Sequence, residues 1–427
     1  METAGKLAPL GFGFMRLPLK DADDPTSIDI DKCCELVDIF MDAGFTYFDS
    51  ARGYHGGKSE WALKKALVER YPRDSFTIAT KLPAWLAENA EHARAMFDKS
   101  LRECGIDYFD YYLLHNLGES LTPGFEEYGL WDFCAEKKAE GKIKKFGFSI
   151  HDNAEELEKV LDAHPEVDFV QLQINYIDWE SPIIQSRRCY EVCQERGLPV
   201  VIMEPVKGGT LVKLPDPVAD ILRAAEPGAP LASWALRFAG SLPNVIAVLS
   251  GMNTPEMVAE NAAIMRDGVP LTPAEYEVIE AARDALAALP GVPCTDCRYC
   301  VKGCPEGVHI NTIMQSLNIY DQMGDAYRAQ ENYNWNTGDG KASACIQCGA
   351  CESVCPQHIE IESQLERAVK LFEKWPPRVL RDPRRAGTVD RRAVRVPARR
   401  CSRPFLQARR GRAGALEMGK EDYGRRD

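Results

Sequence analysis

Long apolar runs are missing from this sequence. Nowhere among its 427 residues do 18 apolar residues follow one another, so we expect no membrane-spanning helix and no membrane binding. The first residues, METAGKLAPLGFGF, lack the basic segment and apolar core of a secretion signal. We therefore expect a cytoplasmic protein.

Positive charge is scarce over most of the chain and concentrated at its end. The formal net charge is −12, yet residues 376–427 hold 16 Lys and Arg against 6 Asp and Glu, which leaves 36 against 58 in residues 1–375. An acidic body repels nucleic acid, so we expect none to bind. The basic tail, 376–427, has few apolar residues and no periodicity, which predicts disorder. An arm that binds an acidic partner is the alternative.

Cysteine is distributed unevenly, because eight of the 15 lie in the segments CTDCRYCVKGCP and CIQCGACESVCP. In the spacing Cys-x-x-Cys-x-x-Cys-x-x-x-Cys-Pro, three thiolates bind one 4Fe-4S cube and the fourth binds the other cube. The predicted ligand sets are Cys294, Cys297, Cys300 and Cys355 for one cluster, and Cys345, Cys348, Cys351 and Cys304 for the second. Zinc and disulfides are the alternatives to iron-sulfur clusters. A zinc site needs only four thiolates in paired knuckles, and disulfides are disfavoured because a secretion signal is missing. The other seven cysteines lack a metal-type spacing, and most of them are predicted to be buried, inert thiols.

Amphipathic helices are predicted around the cysteine motifs. The link between the motifs places apolar residues at helical spacing from Ile310 to Leu317, and IESQLERAVKLFEKW repeats the pattern after the second motif. The long link resembles the alpha-helical ferredoxin domain in iron-sulfur subunits of succinate dehydrogenases. We therefore expect a small, mainly α-helical dicluster ferredoxin-type domain over residues 291–375.

The first 290 residues alternate strand and helix patterns eight times. The strand candidates are PLGFGFMRL, FTYFDS, FTIATK, YFDYYLLH, KKFGFS, FVQLQIN, PVVIMEP and VIAVLSG. Nearly continuous apolar strands separated by helices indicate a parallel sheet, and eight such units predict an α/β fold, a (β/α)8 TIM barrel, over residues 1–290. A doubly wound sheet competes, but its G-x-G-x-x-G fingerprint is missing. Ser59 is predicted to cap the helix SEWALKKALVER.

Four polar residues stand at or just after the carboxyl ends of predicted strands, where TIM barrels carry their chemistry. Asp49 ends the second strand, Tyr54 follows in the next loop, and Lys81 and His115 end the third and fourth strands. Hydride transfer to a carbonyl leaves charge on its oxygen, which requires a proton donor nearby. We assign that role to Tyr54, with the Lys81 ammonium favouring the phenolate and Asp49 holding Lys81. Taken singly, each residue is more often surface charge or packing.

These residues and their contexts resemble the aldo-keto reductase family over about residues 8–290. The segments LGFGFMRLP, GFS, VQLQIN, EPVKGG and SGMNTPEMVAEN follow in the family order. The resemblance implies an NAD(P)-dependent oxidoreductase that interconverts a carbonyl compound and an alcohol, with His115 orienting the substrate oxygen. It also implies these cofactor-binding residues: Gly13, Met15, Ser149, Gln171, Met203, Gly208, Gly209, Ser250, Gly251, Glu260 and Asn261. By this resemblance the Ser149 and Gln171 side chains would hold the nicotinamide carboxamide, the loop of Gly208 and Gly209 would cover the pyrophosphate, and Glu260 and Asn261 would face the adenine.

Three departures from the family pattern affect the cofactor. Ile150 replaces the usual Asn, Met203 replaces an aromatic residue that often stacks on the nicotinamide, and Met257 replaces the Arg that commonly binds the 2'-phosphate. Losing that Arg removes a bidentate, charge-assisted contact, so both NADP and NAD remain open.

The combination of hydride chemistry with one-electron clusters leaves three functions open. The clusters can pass electrons to a ferredoxin or flavoprotein, which requires a one-electron converter. They can instead be structural or oxygen-sensing beside an ordinary reductase, or the chain can be an electron-transfer subunit without turnover. The sequence identifies neither the substrate nor the oligomeric state. Four aromatic residues are candidates for pocket walls or for plain packing: Trp85, Trp131, Tyr176 and Trp179.

Overall fold

The computed structural model describes residues 6–118, 121–182, 184–294 and 296–374, so the predicted basic tail at 376–427 lies outside the described residues. Eight parallel strands of the described chain close into a barrel in sequence order, which confirms the TIM barrel. The strands are β1 Leu10–Gly13, β2 Tyr47–Asp49, β3 Thr77–Leu82, β4 Phe109–Leu117, β5 Ile143–Ile150, β6 Phe169–Gln173, β7 Val200–Met203 and β8 Val245–Ser250.

Helices surround this barrel. Side chains at their N-termini satisfy backbone N–H groups, as in the capping box of Thr272 and Glu275. The α-helices are α1 Ile30–Asp42, α2 Ser59–Leu63, α3 Ala90–Cys104, α4 Thr122–Glu127, α5 Leu130–Ala139, α6 Ala154–Ala163, α7 Ser186–Glu195, α8 Asp216–Ala225, α9 Leu231–Gly240, α10 Pro255–Asp267 and α11 Pro273–Ala287. Shorter turns are the 3-10 helices Tyr54–Gly57, Arg73–Ser75, Ala84–Leu86 and Lys207–Val212 and the π-helix Lys64–Val68.

Ser59 does not cap its helix as predicted. It is the first residue inside α2, and its hydroxyl donates to the backbone oxygen of Phe14 at 3.0 Å and contacts Ser50 Oγ at 2.8 Å. The hydroxyl therefore ties α2 to the barrel mouth, which local sequence could not indicate.

The barrel interior is filled by apolar side chains of successive strands. A buried cluster includes Tyr47 of β2, Ala79 of β3 and Leu113 of β4. Side chains alternate along a strand, so the residue two positions further on also points inward, one step closer to the carboxyl end. These next inward positions are Asp49, Lys81, His115, Gln171 and Met203. The strand period of two thus brings the predicted catalytic and nicotinamide-contacting residues to one end of the barrel.

A helical region follows the barrel within the same compact unit of the chain. Its helices are α12 Tyr299–Lys302, α13 Ile310–Met323, α14 Ala326–Thr337, α15 Ala350–Ser353 and α16 Ile361–Ala368, with a 3-10 turn Ala342–Ala344 and a π-helix Val369–Glu373. The predicted apolar faces form its core, since Ile313, Leu317 and Leu365 are each at most 2% exposed. None of the helices formed by the described residues is long and apolar enough to span a membrane.

Candidate active site and cluster sites

Asp49 and Lys81 form a buried ion pair at the carboxyl ends of β2 and β3. Lys81 Nζ lies 2.5 Å from Asp49 Oδ1 and donates to the backbone oxygen of Ser50 at 2.7 Å. The residues are 0% and 3% exposed. Burial raises the pKa of Asp49 although Lys81 opposes this, and the pKa of Lys81 is raised because Asp49 and Tyr54 outweigh burial. The pair fixes the ammonium at one point of the barrel mouth.

The loop that carries Tyr54 is held from both sides. Buried Glu60 accepts from Arg52 and from Thr80 Oγ1, each at 2.8 Å, which ties the loop to β3. His55 Nε2 accepts from the backbone N–H of Leu17 at 3.2 Å, so its Nδ1 donates to a backbone oxygen on the other side. The phenol is thereby positioned with the Lys81 ammonium 5.1 Å from its ring centroid.

Burial dominates the acidity of Tyr54. It raises the pKa of the phenol above its ordinary value, although the Lys81 ammonium acts in the expected, opposite direction. Tyr54 therefore keeps its proton at neutral pH, which is the state required of a proton donor. Burial thus outweighs the expected shift of the Tyr54 pKa towards phenolate.

His115 stands at an irregularity of β4. The register between β4 and β5 shifts between Leu114 and Leu117, and such bulges redirect side chains. The His115 ring lies 5.6 Å from that of Tyr54 and 5.1 Å from that of Trp85. Burial, then the charges of Lys81 and His151, place the pKa of His115 well below its ordinary value, and its buried Nδ1 has no hydrogen-bond partner. A neutral imidazole with an unused nitrogen can hydrogen-bond a substrate oxygen.

The expected nicotinamide contacts lie on β5, β6 and β7. Ser149 and Gln171 are paired in register, and Ser149 Oγ accepts from the backbone N–H of Asn116 at 2.8 Å. Gln171 Nε2 donates to Met203 Sδ at 3.4 Å, while its buried Oε1 has no hydrogen-bond partner. The structure therefore places these three side chains on neighbouring strands and leaves the Gln171 acceptor free.

The remaining expected cofactor residues flank the ends of β1, β7 and β8. Asn261 Nδ2 donates to Ser250 Oγ at 3.1 Å, so two of them are engaged with each other. Met15 and Met257 are 51% and 47% exposed. The others are glycines at strand ends and in the loop after β7, Gly13, Gly208, Gly209 and Gly251, and the exposed Glu260 on α10.

The cysteines gather into two sets in the helical region. Cys294, Cys297, Cys300 and Cys355 line one cavity, and Cys304, Cys345, Cys348 and Cys351 line a second. All eight are free thiols. One residue, Ile310, contributes to both cavity walls. The last cysteine of each motif thus lines the same cavity as the first three of the other motif.

The other cysteines and the aromatic candidates mostly serve packing. Among the described cysteines outside the motifs, all but Cys34 are buried, and burial raises the pKa of Cys33 to about 12. Trp131 stacks on His164 at 3.7 Å, and the Tyr176 ring packs at 6.2 Å from that of Phe238. The Trp179 ring also packs on Phe238, at 5.3 Å. Only Trp85 of the four candidates has a described ring contact with a proposed catalytic residue.

Two residues near this site escaped the sequence analysis. His151, directly after β5, acts electrostatically on both His115 and Lys81. Arg328, at the start of α14, donates to the backbone oxygen of Gly208 at 3.2 Å. His151 had a signal, since it follows a predicted strand end, whereas Arg328 lies 120 positions from its partner and belongs to no motif.

Comparison with known proteins agrees with this architecture. The model of the aldo/keto reductase family matches residues 9–284, and a 4Fe-4S dicluster domain matches residues 293–360. The first match covers more than half of the sequence, and the chain belongs to the aldo/keto reductase family. It is an oxidoreductase of that family with a 4Fe-4S dicluster domain following the barrel.

Individual relatives are distant. The NADH-specific methylglyoxal reductase of Escherichia coli is 24% identical over 298 residues, 58% of this chain and 88% of that protein. The holo form of an aldo-keto reductase from Bacillus halodurans is 25% identical, covers 65% of this chain and 92% of its own, and gives a TM-score of 0.53. An aldo-keto reductase from Klebsiella pneumoniae in complex with NADPH is 21% identical, covers 65% and 95%, and shares the fold with a TM-score of 0.50.

Proposed function

We propose that this protein interconverts a small carbonyl compound and an alcohol with NADH or NADPH and carries two 4Fe-4S clusters. The observation that carries the proposal is the convergence of Asp49, Lys81, Tyr54 and His115 at the carboxyl ends of β2 to β4. In this proposal the barrel comprises residues 1–290 and the cluster domain residues 291–375.

The four residues have complementary roles in the proposed reaction. The nicotinamide supplies or removes the hydride when it is bound. Tyr54 donates its phenolic proton to the developing alkoxide, and neutral His115 orients the same oxygen through a hydrogen bond. Lys81 stabilises the phenolate that remains, and Asp49 keeps the ammonium in place. Because the pair is buried, these interactions act at low dielectric and are strong.

The nicotinamide site fits the residues present. Gln171 Oε1 is buried without a partner, and an acceptor in that state is satisfied by an amide N–H such as that of a carboxamide. Ser149 accepts one hydrogen bond and still has its own proton to donate. Exposed Met257 offers no charge to a 2'-phosphate, which supports NADH as well as NADPH. The E. coli relative is named as NADH-specific.

The cysteine sets fit two cubes. Each cavity is lined by four free thiols, whereas no three His, Cys, Asp or Glu side chains among the described residues are grouped to hold a single metal ion. Backbone N–H groups of Val308 and Gln347 donate to Cys304 Sγ and Cys345 Sγ at 3.4 Å, which favours thiolates. A reducing cytoplasm would keep such thiols available.

A redox partner protein, a ferredoxin or flavoprotein, is part of the proposal. One cysteine of each set, Cys297 and Cys348, is exposed. Apolar side chains beside other ligands are exposed as well, namely Tyr299 by 58%, Ile346 by 59% and Val354 by 46%. Exposed apolar groups around a charged centre suit a transient protein contact.

Turnover by anaerobically purified protein tests the barrel chemistry. We expect reduction of members of a broad carbonyl panel with NADH or NADPH, and a loss of about 10²- to 10⁴-fold in Tyr54→Phe, because the proton donor is removed. Tyr112→Phe is the matched control, since its buried hydroxyl has no hydrogen-bond partner. No turnover by the wild type, or equal turnover in Tyr54→Phe, contradicts the proposal.

Spectroscopy tests the link between the two domains. Iron and sulfide analysis should show two 4Fe-4S clusters, and adding NADH or NADPH should bleach their visible absorbance if the clusters take electrons from the barrel. Zinc at the cysteines contradicts the redox role, while intact absorbance with full turnover supports structural or oxygen-sensing clusters instead.

A further inference from the structure

The first turn of α14 reaches from the cluster domain onto the barrel loop after β7. Asp325 caps this helix through the backbone N–H of Arg328 at 3.0 Å, and its other carboxylate oxygen accepts from Thr210 Oγ1 at 3.3 Å. Arg328 Nε donates to the backbone oxygen of Gly208 at 3.2 Å. The loop expected to cover the cofactor pyrophosphate is therefore in direct contact with the domain that carries the cysteines.

The Arg328 guanidinium occupies the space beside Gly208. A Cβ atom at Gly208 would stand 0.8 Å from Arg328 Nη2, and the residue has a φ of +61°, so only glycine suits this position. The guanidinium thus lies against bare backbone, at the place where a phosphate-binding loop admits close approach.

The hydrogen-bonding capacity of Arg328 is only partly used. Its Nη1 donates to Glu331 Oε2 at 2.7 Å, but its buried Nη2 has no hydrogen-bond partner, and Glu204 Oε2 lies 3.8 Å away. A guanidinium has five N–H donors, and leaving a buried donor unpaired is costly. Its fork matches the geometry of phosphate oxygens.

Two other cations lie near this loop, but Lys207 is paired with a carboxylate and Arg16 packs on the next loop of the barrel. Lys207 Nζ contacts both Asp178 oxygens at 2.6 and 2.8 Å. Arg16 lies against the loop after β8, where a Cβ at Gly251 would stand 3.1 Å from its Cδ, and it acts electrostatically on Tyr327 of α14. The first turn of α14 therefore contacts the loop after β7 and lies near Arg16, which packs on the loop after β8, and the dinucleotide is expected at both loops.

We infer that Arg328 is a pyrophosphate ligand, so that the dinucleotide site is completed by the cluster domain. This inference rests on the proposed function and extends it, because cofactor binding then depends on a residue outside the barrel. The opposite role for Arg328 is to block the pyrophosphate site. In that case its removal would tighten dinucleotide binding.

Calorimetric titration of the anaerobic holoprotein with adenosine diphosphate ribose and with NADH tests this inference. The first probe carries the pyrophosphate without a nicotinamide, so its binding needs no hydride chemistry. Arg328→Gln should weaken both ligands by about 10- to 100-fold, as expected for lost charge-assisted hydrogen bonds. Arg328→Lys should retain part of the affinity, since it keeps the charge and loses the fork.

Arg367→Gln is the matched control, because Arg367 pairs with Asp321 elsewhere in the cluster domain; it should leave both affinities unchanged. The iron content of each variant shows whether its clusters are intact. If Arg328→Gln has lost iron, the affinities of Arg328→Lys are used to test the inference instead. Equal or tighter binding of both ligands by Arg328 variants overturns the inference while the proposed function stands. Wild type that binds neither ligand overturns both, whereas Arg328-dependent binding without any carbonyl turnover overturns only the proposed function.

Discussion

Replacing Lys81 by Met should expose the cost of the buried carboxylate at the centre of the site. Lys81 is 0% and Asp49 3% exposed, and their contact is 2.5 Å. Removing one partner of a buried ion pair leaves an uncompensated charge and destabilises a protein by about 3–5 kcal/mol. Methionine keeps the length and apolar stem of the side chain, so packing changes contribute little.

The destabilisation should depend on pH in a defined direction. Burial already raises the pKa of Asp49, and losing the ammonium raises it further. A carboxyl with a raised folded-state pKa costs stability as pH rises from its unfolded towards its folded pKa, and this cost is present in the wild type as well. The deficit of Lys81→Met should therefore begin at the folded-state pKa of Asp49 in the wild type and grow by about 1.4 kcal/mol per pH unit until it levels off at the higher folded-state pKa of the variant. The Lys81 ammonium of the wild type does not change how the free energy of unfolding depends on pH in this range. Its pKa is raised in the folded state, so its stabilising contribution is complete at every pH below the pKa of lysine in the unfolded chain.

Urea unfolding under argon, followed by circular dichroism at pH 6, 7 and 8, measures this deficit. Asp49→Asn combined with Lys81→Met carries no charge at either position, so it should recover stability at pH 8 and lose the slope. A deficit that is the same at all three pH values would refute the reasoning, as would a double variant no more stable than Lys81→Met alone.

Three further predictions follow from the geometry. Because burial raises the pKa of Tyr54, the rate of carbonyl reduction should stay level up to about pH 10, and a decline beginning below pH 9 would contradict this. Electron paramagnetic resonance should show that Cys355→Ser and Cys294→Ser damage the same cluster, whereas Cys304→Ser damages the other cluster. If all three variants damage one common cluster, crossed ligation is excluded. Gly208→Ala should speed hydrogen exchange at the start of α14, because the Arg328 guanidinium lies 0.8 Å from its Cβ position. Gly209→Ala carries comparable backbone strain at a φ of +98° but has no atom within 4 Å of its Cβ position, so it should speed exchange less, and equal exchange in the two variants would count against the contact.

The convergence of the candidate catalytic residues at one end of the barrel was predictable because strand geometry is local. Asp49 and Lys81 each stand two positions after a buried interior residue, so the period of two along a strand was enough to place both at one end. The cysteine sets were predictable for a similar reason, since their spacing limits which thiols reach one cavity.

Other features depend on contacts that no local pattern encodes. The acidity of Tyr54 follows from a balance between burial and Lys81, and the depth of burial is a property of the whole fold. Ser59 bonds to Phe14 across 45 positions instead of capping its own helix. Arg328 meets Gly208 only because α14 packs on the barrel, and an arginine in a polar helix gives no sign of that.

Ile310 stands in the wall of both cysteine-lined cavities. Two inorganic cubes in these cavities would be neighbours across a single aliphatic side chain, an arrangement that suits electron exchange between them. Together they would form a reservoir with room for a pair of electrons, the quantity that a single hydride carries. A nicotinamide would exchange electrons with such a pair only through a one-electron converter such as a flavin, because it passes both electrons together as a hydride.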